Sequence, residues 1–570
     1  MDKLLMRTLK KDGLKMNEDI GNGLSRPYMA ALPEYLSSVF NSAMKTLTPD
    51  IKLEYKGYRK LTPLEDFYNG INASATKNSI DISRSYLYKV EYGFEYNGIP
   101  INRVLALPFV TRGGYLKLSD SHYAITPVLS EYPLSPAPGE IFIRILRDKL
   151  NIKKMYRKIL INNEKQSVQV VHSRSYKLVD KVNDMIPVAL YGFLKYGFKG
   201  LFKSKFNADI IAVKYTDTTD ETYGEKYNIY RSTGVKPRTI NILNYSNHDV
   251  AILVEKKDVT PVLEVYIASL IYSMDLSPMF AANLPNVIGD ISEPTTYFDY
   301  SNISDESLFW ITLLGKVIFK NKYTTDRIQV DTLEHINILN GYLDSIVKIR
   351  LEDINIYVDD IYDLLLYAID NFNELVLAQE SHSSKVSNRY IDLEYYILYD
   401  LIVGINKAFL EIKRAAKRNR IGEVEITRIF NMFLPTKKIY RIIKSSATNI
   451  AIAPIESTSD NMYFKMTSIL EDQNRAQGVN KSKKNVFPIN TRSIRGEDIM
   501  FGSILHQIKK YPSPRFRFNP FVNIDINKGK FIFTDQQLET ISKIDTMLSD
   551  TSVNKEISEN EVITEINLDL

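Results

Sequence analysis
The chain has 570 residues, 44 % of them apolar, enough for three to five compact units that each bury a core. Its 73 Lys and Arg exceed its 68 Asp and Glu by only five, so the total charge does not demand a nucleic-acid partner and the placement of the cations matters more. There is no cysteine, which excludes disulfides, thiolate nucleophiles and cysteine-based zinc sites together.

The first sixteen residues are basic but lack an apolar core and a small-residue cleavage site, so they do not read as a signal peptide. No apolar run reaches membrane-spanning length; the best candidate, residues 186–202, is interrupted by Lys195 and Lys199. A helix is expected around residues 33–44, after an N-terminal arm. Alternation predicts strands at 50–58 and 85–96, and Asn97-Gly98 marks a hairpin. Residues 105–145 read as an antiparallel sheet: strand, Gly113-Gly114 turn, strand, four-residue turn at 119–122, strand, Pro-rich loop, strand. Residues 150–175 are mixed, with a strand at 167–172. A helical pattern over 178–202 precedes a strand at 208–214. Residues 215–236 read as polar loop, and a short strand is expected at 249–254.

The period then changes to three and four over 262–273, 308–319, 333–351, 361–377 and 390–416, an α-rich region. A further basic stretch follows at 436–445. Residues 450–535 are loop-rich. The domain limits expected are 1–49 for the arm and helix, 50–165 for a β-rich domain, 166–300 for a mixed α/β part and 301–450 for a helical part. Residues 451–535 form a basic, loop-rich region and 536–570 an acidic mobile tail. The fold class is α+β and multi-domain.

Motifs that carry chemistry are sparse. Tyr357-Val358-Asp359-Asp360 matches the YVDD metal turn of palm polymerases. Its flanks, however, place both aspartates at the start of an apolar-periodic helix, where acidic residues favour the helix dipole. The six histidines show no metal-ligand spacing. Neither a phosphate loop, nor a dinucleotide fingerprint, nor a nucleophile elbow is present. The catalytic and metal assignments are therefore none, and an enzymatic role requires a larger assembly. The basic run at 413–420 suits a solvated helix end. Lys481, Lys483 and Lys484 differ, because they follow a glycine-containing loop with few apolar residues. They lie near Arg492, Arg495, Lys509, Lys510, Arg515 and Arg517, with Phe516, Phe518 and Phe521 interleaved. Cations with planar side chains suit phosphate neutralisation and base packing.

The order of segments resembles the N-terminal half of the β subunit of multisubunit DNA-directed RNA polymerases. LEYKGYRKL at 53–61 is similar to that family's tyrosine-rich first strand, RSYLYKV at 84–90 to its next strand, and residues 107–136 to the strand-and-turn stretch after it. SILEDQNRAQGVNKSKK at 468–484 is similar to the fork-loop stretch, with Asp472-Gln473 and Lys483-Lys484 in matching order. Residues 495–519 depart from the pattern, since the family's ETPEG signature is absent. The chain stops where the C-terminal half of β would begin, which resembles the split β subunits of giant tailed bacteriophages.

The resemblance implies a β-rich protrusion-like part, a fork-like part and an α-rich lobe-like middle. It implies a non-catalytic subunit of a nucleotidyltransferase, inactive alone, that walls the DNA channel and the RNA–DNA hybrid. Asp472, Gln473, Arg475, Lys481, Lys483 and Lys484 would border the hybrid. Arg492, Arg495, Arg515 and Arg517 would meet phosphates or a partner. No cofactor is expected on this chain, and Mg is expected on a β′-like partner. The implied partners are the C-terminal half of β, β′-like subunits, a promoter-specificity subunit, template DNA and transcript, with no membrane. The implied place is the cytoplasm of an infected bacterium or the virion. Two rival readings are a virion structural or injected protein and a standalone single-strand nucleic-acid-binding protein.

Overall fold
The computed structural model describes residues 22–66, 87–118, 121–175, 186–234, 250–277, 306–319, 325–377, 386–444, 452–454, 468–472, 496–501, 515–517 and 522–550, apart from gaps of one to three residues within them and a few isolated positions elsewhere. These form two compact units, one of Met1–Tyr132 with Glu380–Leu570 and the other of Pro133–Gln379. The cuts fall inside the segments 50–165 and 301–450.

The first unit begins with α1 (Ser25–Met44), whose buried Tyr28, Met29, Leu32, Leu36, Val39, Phe40 and Ala43 recur at helical spacing. That stripe covers a sheet of β1 (Leu53–Lys60), β2 (Leu87–Tyr96) and β3 (Ile99–Pro108) in the order β1-β2-β3. Phe40 lies 5.0 Å from Tyr92 and 5.3 Å from Phe94 between ring centroids, so aromatic packing fixes the helix on the sheet. The predicted hairpin is present: Asn97 and Gly98, with φ of 50° and 82°, join β2 to β3.

Three strands follow: β4 (Tyr115–Leu118), β5 (Ser121–Ile125) and β6 (Val128–Glu131). Here the structure corrects the expectation of one continuous sheet over 105–145. β3 pairs with β2 and not with β4; β4 pairs with β5; β6 joins another sheet. The Gly113-Gly114 turn is therefore a bend closed by a single antiparallel bridge, Thr111 with Tyr115, and not the loop of a β3–β4 hairpin. A Cβ on Gly23 would lie 2.2 Å from the amide nitrogen of Gly114, and the Gly113 amide donates to the Asn22 carbonyl at 2.9 Å. The glycines allow two backbones to touch. The four-residue turn also shortens, since Ser121 and His122 pair with Leu118 and Lys117.

The second unit contains β7 (Leu134–Ala137), β8 (Glu140–Arg144), β9 (Lys149–Ile161), β10 (Glu164–Ser175), β11 (Ile186–Pro187), α2 (Ala189–Tyr196), α3 (Phe198–Phe206), β12 (Ile210–Lys214), α4 (Thr219–Tyr223), β13 (Tyr227–Ser232) and β14 (Val250–Glu255). The strands form one sheet in the order β11-β10-β9-β13-β14-β12, with β8 also on β9 and β7 on β8. The long β9–β10 hairpin replaces the single short strand expected at 167–172. Its turn is Asn162-Asn163, both at positive φ, a conformation that Asn adopts more readily than other side-chain-bearing residues. α4 and β13 lie within the stretch 215–236 expected to be loop. Of the helical pattern expected over 178–202, residues 178–185 lie outside the described residues, 186–187 are strand β11, and the helix that starts at Ala189 breaks at Gly197, with φ of 71°.

Among the described residues six further helices belong to this unit: α5 (Pro261–Leu276), α6 (Glu306–Phe319), α7 (Thr325–Tyr342), α8 (Ser345–Glu352), α9 (Ile361–Asp370) and α10 (Phe372–Leu377). The helix expected over 333–351 is two, α7 and α8. The one expected over 361–377 breaks at Asn371, whose amide bonds to the Tyr367 carbonyl. α5 starts at Pro261, with the Thr260 hydroxyl accepting from the Leu263 amide. Trp310 of α6 stacks on Phe193 of α2 at 5.0 Å in the buried aromatic core.

The chain returns to the first unit through β15 (Arg389–Asp392), α11 (Glu394–Lys417), α12 (Glu423–Phe433), α13 (Lys438–Lys444), β16 (Ile452–Pro454), β17 (Ser468–Asp472), α14 (Gly496–Phe501), β18 (Arg515–Arg517), β19 (Asn523–Asp525), β20 (Lys530–Ile532) and α15 (Asp535–Asp550). Tyr390 belongs to β15, so the helix expected from 390 starts at Glu394. α11 ends as expected in a solvated basic run. Asn419, at φ 52°, donates to Ala416 and Arg420 to Ala415, which satisfies the last carbonyls. Residues 536–550, expected to open a mobile tail, form α15 instead, and its Asp545 accepts from the Gly496 amide at 2.7 Å. Overall the fold is α+β.

Candidate nucleic-acid interface
A four-stranded sheet in the order β15-β6-β17-β18 frames the basic region of the first unit. β17 lies parallel to β6, with Asp472 opposite Ser130, and antiparallel to β18, with Leu470 opposite Arg515 and Ser468 opposite Arg517. The end of β17 and the start of β18 therefore meet at one end of the sheet.

Two segments depart from that end. Residues 473–495 run from β17 to α14 and carry Arg475, Lys481, Lys483, Lys484, Arg492 and Arg495 with no Asp or Glu. Residues 502–514 run from α14 to β18 and carry Lys509 and Lys510, again with no acid. Among the expected contact residues, Asp472 lies on β17 two residues beyond Leu470, which pairs with Arg515 of β18, while Arg517 pairs with Ser468 at the other end of β17. Gln473, Arg475, Lys481, Lys483, Lys484, Arg492 and Arg495 lie outside the described residues.

α14 is the fixed point between the two segments. Glu497 is buried, and its carboxylate accepts from the Ser387 amide at 3.1 Å and the Ser387 hydroxyl at 2.9 Å. Gly496 packs so closely on α15 that a Cβ there would lie 2.6 Å from the Ile541 carbonyl oxygen. β15 is tied in turn to the β19–β20 turn, where the Ile391 amide donates to the Gly529 carbonyl at 2.7 Å. Gly529 has φ of +66°, which a glycine adopts without strain. Tyr28 of α1 donates to the Ile526 carbonyl at 3.0 Å. At the same end of the sheet, Tyr132 follows β6, with Tyr390 at 5.1 Å and the Lys530 ammonium 5.2 Å from its ring centroid. Glu497, Gly496 and Gly529 were not singled out from sequence. Their only signal is a glycine beside charged residues, which many loops share.

This arrangement can neutralise phosphates and release counterions. Among the described residues there is no cluster of His, Asp and Glu able to hold a metal ion.

Of the YVDD residues, Asp360 has a structural role at a helix start, as the helix-start reading expects. Asp360 caps α9 by accepting from the Asp363 amide at 3.0 Å. Lys195 bridges Asp360 and Asp363 at 2.9 and 2.6 Å. Burial works against the Lys195 charge, but bonds to Asp363 and Asp360 outweigh it and raise the pKa above the usual lysine range. Burial would raise Asp363, but its bond with Lys195 prevails and lowers it. The Lys195 ammonium thus neutralises Asp360 and Asp363 together. Among the histidines, His335 is buried with Nε2 2.8 Å from the Tyr191 hydroxyl, and burial lowers its pKa to about 4.

Among the described residues no helix is long and apolar enough to cross a membrane. No curated protein matches the chain. Residues 17–546, nearly its whole length, match the family described as non-virion RNA polymerase subunit. The chain belongs to that family and is a subunit of a non-virion RNA polymerase.

Proposed function
We propose that this chain is the N-terminal half of a split β subunit in a phage multisubunit DNA-dependent RNA polymerase, walling the DNA channel and the hybrid. The observation that carries this reading is the pair of acid-free basic segments attached to one sheet end in a polymerase subunit. Asp472, Gln473, Arg475, Lys481, Lys483 and Lys484 border the hybrid, and Arg492, Arg495, Arg515 and Arg517 meet phosphates or the partner half. The chain contributes positioning and electrostatics rather than bond chemistry. Mg is held by a β′-like subunit. The partners are the C-terminal half of β, β′-like subunits, a promoter-specificity subunit, DNA and transcript, in the cytoplasm of the infected bacterium.

Support for large partners comes from α12, where Val424 and Met432, eight residues apart, are 81 % and 54 % exposed; apolar side chains so placed suit burial against another subunit. The family's description as non-virion weighs against a virion structural protein. Purification of the tagged chain from infected cells followed by mass spectrometry is expected to recover at least three large partners. A monodisperse chain without partners would refute the proposal. Lys483→Glu with Lys484→Glu is expected to abolish elongation while assembly persists; unchanged transcription removes these residues from the site.

A further inference from the structure
The β9–β10 hairpin of the second unit has two unlike faces. Val168, Val170, Ile159 and Ile161 are buried on the face that α5 covers, where the Arg157 guanidinium donates to the Tyr272 hydroxyl at 3.1 Å and lies 4.3 Å from its ring centroid. The opposite face presents Lys154, Tyr156 and Lys158 on β9, all exposed, Tyr156 by 60 %. Cross-strand pairing sets polar Gln169 opposite Tyr156 and Ser167 opposite Lys158, and exposed Lys165 opposite Leu160.

β13 extends this face, with Arg231 opposite Leu160 and its guanidinium carbon 3.4 Å from the Tyr215 ring centroid. Carboxylates are distributed unevenly. Lys153, on the covered side, pairs with Glu140 at 2.6 Å. Lys154, Lys158 and Lys165 hold no ion pair among the described residues. Asp220, at the far end, is engaged by the Tyr215 hydroxyl at 2.6 Å and by the Asn163 amide group.

We propose that this face binds a single-stranded polynucleotide. Two cations four residues apart on a strand, roughly 13 Å, flank an exposed ring. The ammonium groups neutralise successive stretches of backbone, and the Tyr156 ring takes one unpaired base. A duplex offers the cations its phosphates but gives the ring no free base to stack, which favours a single strand. None of these residues belongs to the 472–517 region, so this face stands or falls independently of it.

The test uses the full chain with Lys481, Lys483 and Lys484 replaced by alanine, so that a failed fork-loop assignment cannot mask the result. Binding of labelled oligothymidylate, oligouridylate and a duplex is followed by fluorescence anisotropy across a salt series. Tyr156→Ala is expected to weaken single-strand binding by at least about fivefold, the loss of one stacked base, and to spare the duplex; Tyr156→Phe restores binding. Lys154→Gln with Lys158→Gln is expected to lower the salt slope by about 1.4. Binding of either single strand above the duplex supports the proposal, and a preference between oligothymidylate and oligouridylate identifies the strand. Unchanged affinity and slope in these variants would overturn it, as would equal loss on the duplex. Displacement by polyglutamate with the same dependence on Tyr156 would overturn it too, assigning the face to an acidic protein.

Discussion

The Glu497 anchor offers the sharpest test of how the basic segments are held. Glu497→Ala removes a buried carboxylate that accepts two hydrogen bonds, from the Ser387 amide at 3.1 Å and its hydroxyl at 2.9 Å. Hydrogen bonds to a charged group are each worth about 1.5–3 kcal/mol, and some of that returns if water reaches the vacated site. The expected cost is therefore about 2–4 kcal/mol of local stability around α14. Ser387→Ala removes only the hydroxyl and should cost about 1–2 kcal/mol, because the amide bond to Glu497 survives. Since the two residues share one contact, the double variant should cost less than the sum by about 1 kcal/mol or more. Native-state hydrogen exchange reads this directly: in Glu497→Ala, amides of 386–392 and 496–501 should exchange about 30- to 1000-fold faster. Exchange within about twofold of the parent, or strict additivity in the double variant, would show that Glu497 does not hold α14 and that something else fixes the basic segments.

Other expectations follow from single contacts. His335 binds no proton when folded until about pH 4, whereas the unfolded side chain binds one near pH 6.5. Its contribution is thus greatest above pH 6.5 and is lost as pH falls, at about 1.4 kcal/mol per unit and roughly 3 kcal/mol in all by pH 4. Urea midpoints followed through buried Trp310 should drop accordingly, and His335→Gln should flatten that drop. Asp360→Ala loses the α9 cap and one of the two carboxylates on Lys195 and should cost about 1–2 kcal/mol by denaturant melts. Asp359→Asn should leave those melts within about 0.5 kcal/mol, because Asp359 bonds Lys348 through its backbone carbonyl. Gly315→Ala would set a Cβ 2.3 Å from both Ile328 Cγ2 and Thr332 Oγ1, so the α6–α7 contact must open; thermal unfolding should show a loss of about 1–3 kcal/mol.

Local chemistry was legible wherever neighbours in sequence are neighbours in space. The Asn97-Gly98 hairpin, the α5 helix, the helix start at Asp360 and the basic end of α11 all rest on interactions within a few residues, and each is expected from the sequence. The α+β class and the membership in a polymerase family were legible for a related reason: periodicity and the order of segments are properties of the chain itself. The fork-like reading of residues 468–484 rests on the order of Asp472-Gln473 and Lys483-Lys484, and seven of the expected contact residues lie outside the described residues.

What only the tertiary structure decided are pairings between distant residues. Nothing local says that β6 takes β17 and β15 as neighbours, hundreds of residues away, or that Glu497 seeks Ser387. Strands 105–145 look continuous because each alternates, yet a pleated edge accepts whichever partner the rest of the chain supplies, and here they divide among several sheets. Gly113-Gly114 shows the same limit: the bend that joins Thr111 to Tyr115 is local, while the close backbone approach of Gly23 is set by a residue far away in sequence. The sequence thus determined which residues can turn, cap, pack or carry charge, while the fold alone determined what they meet, because burial and close approach depend on atoms far along the chain.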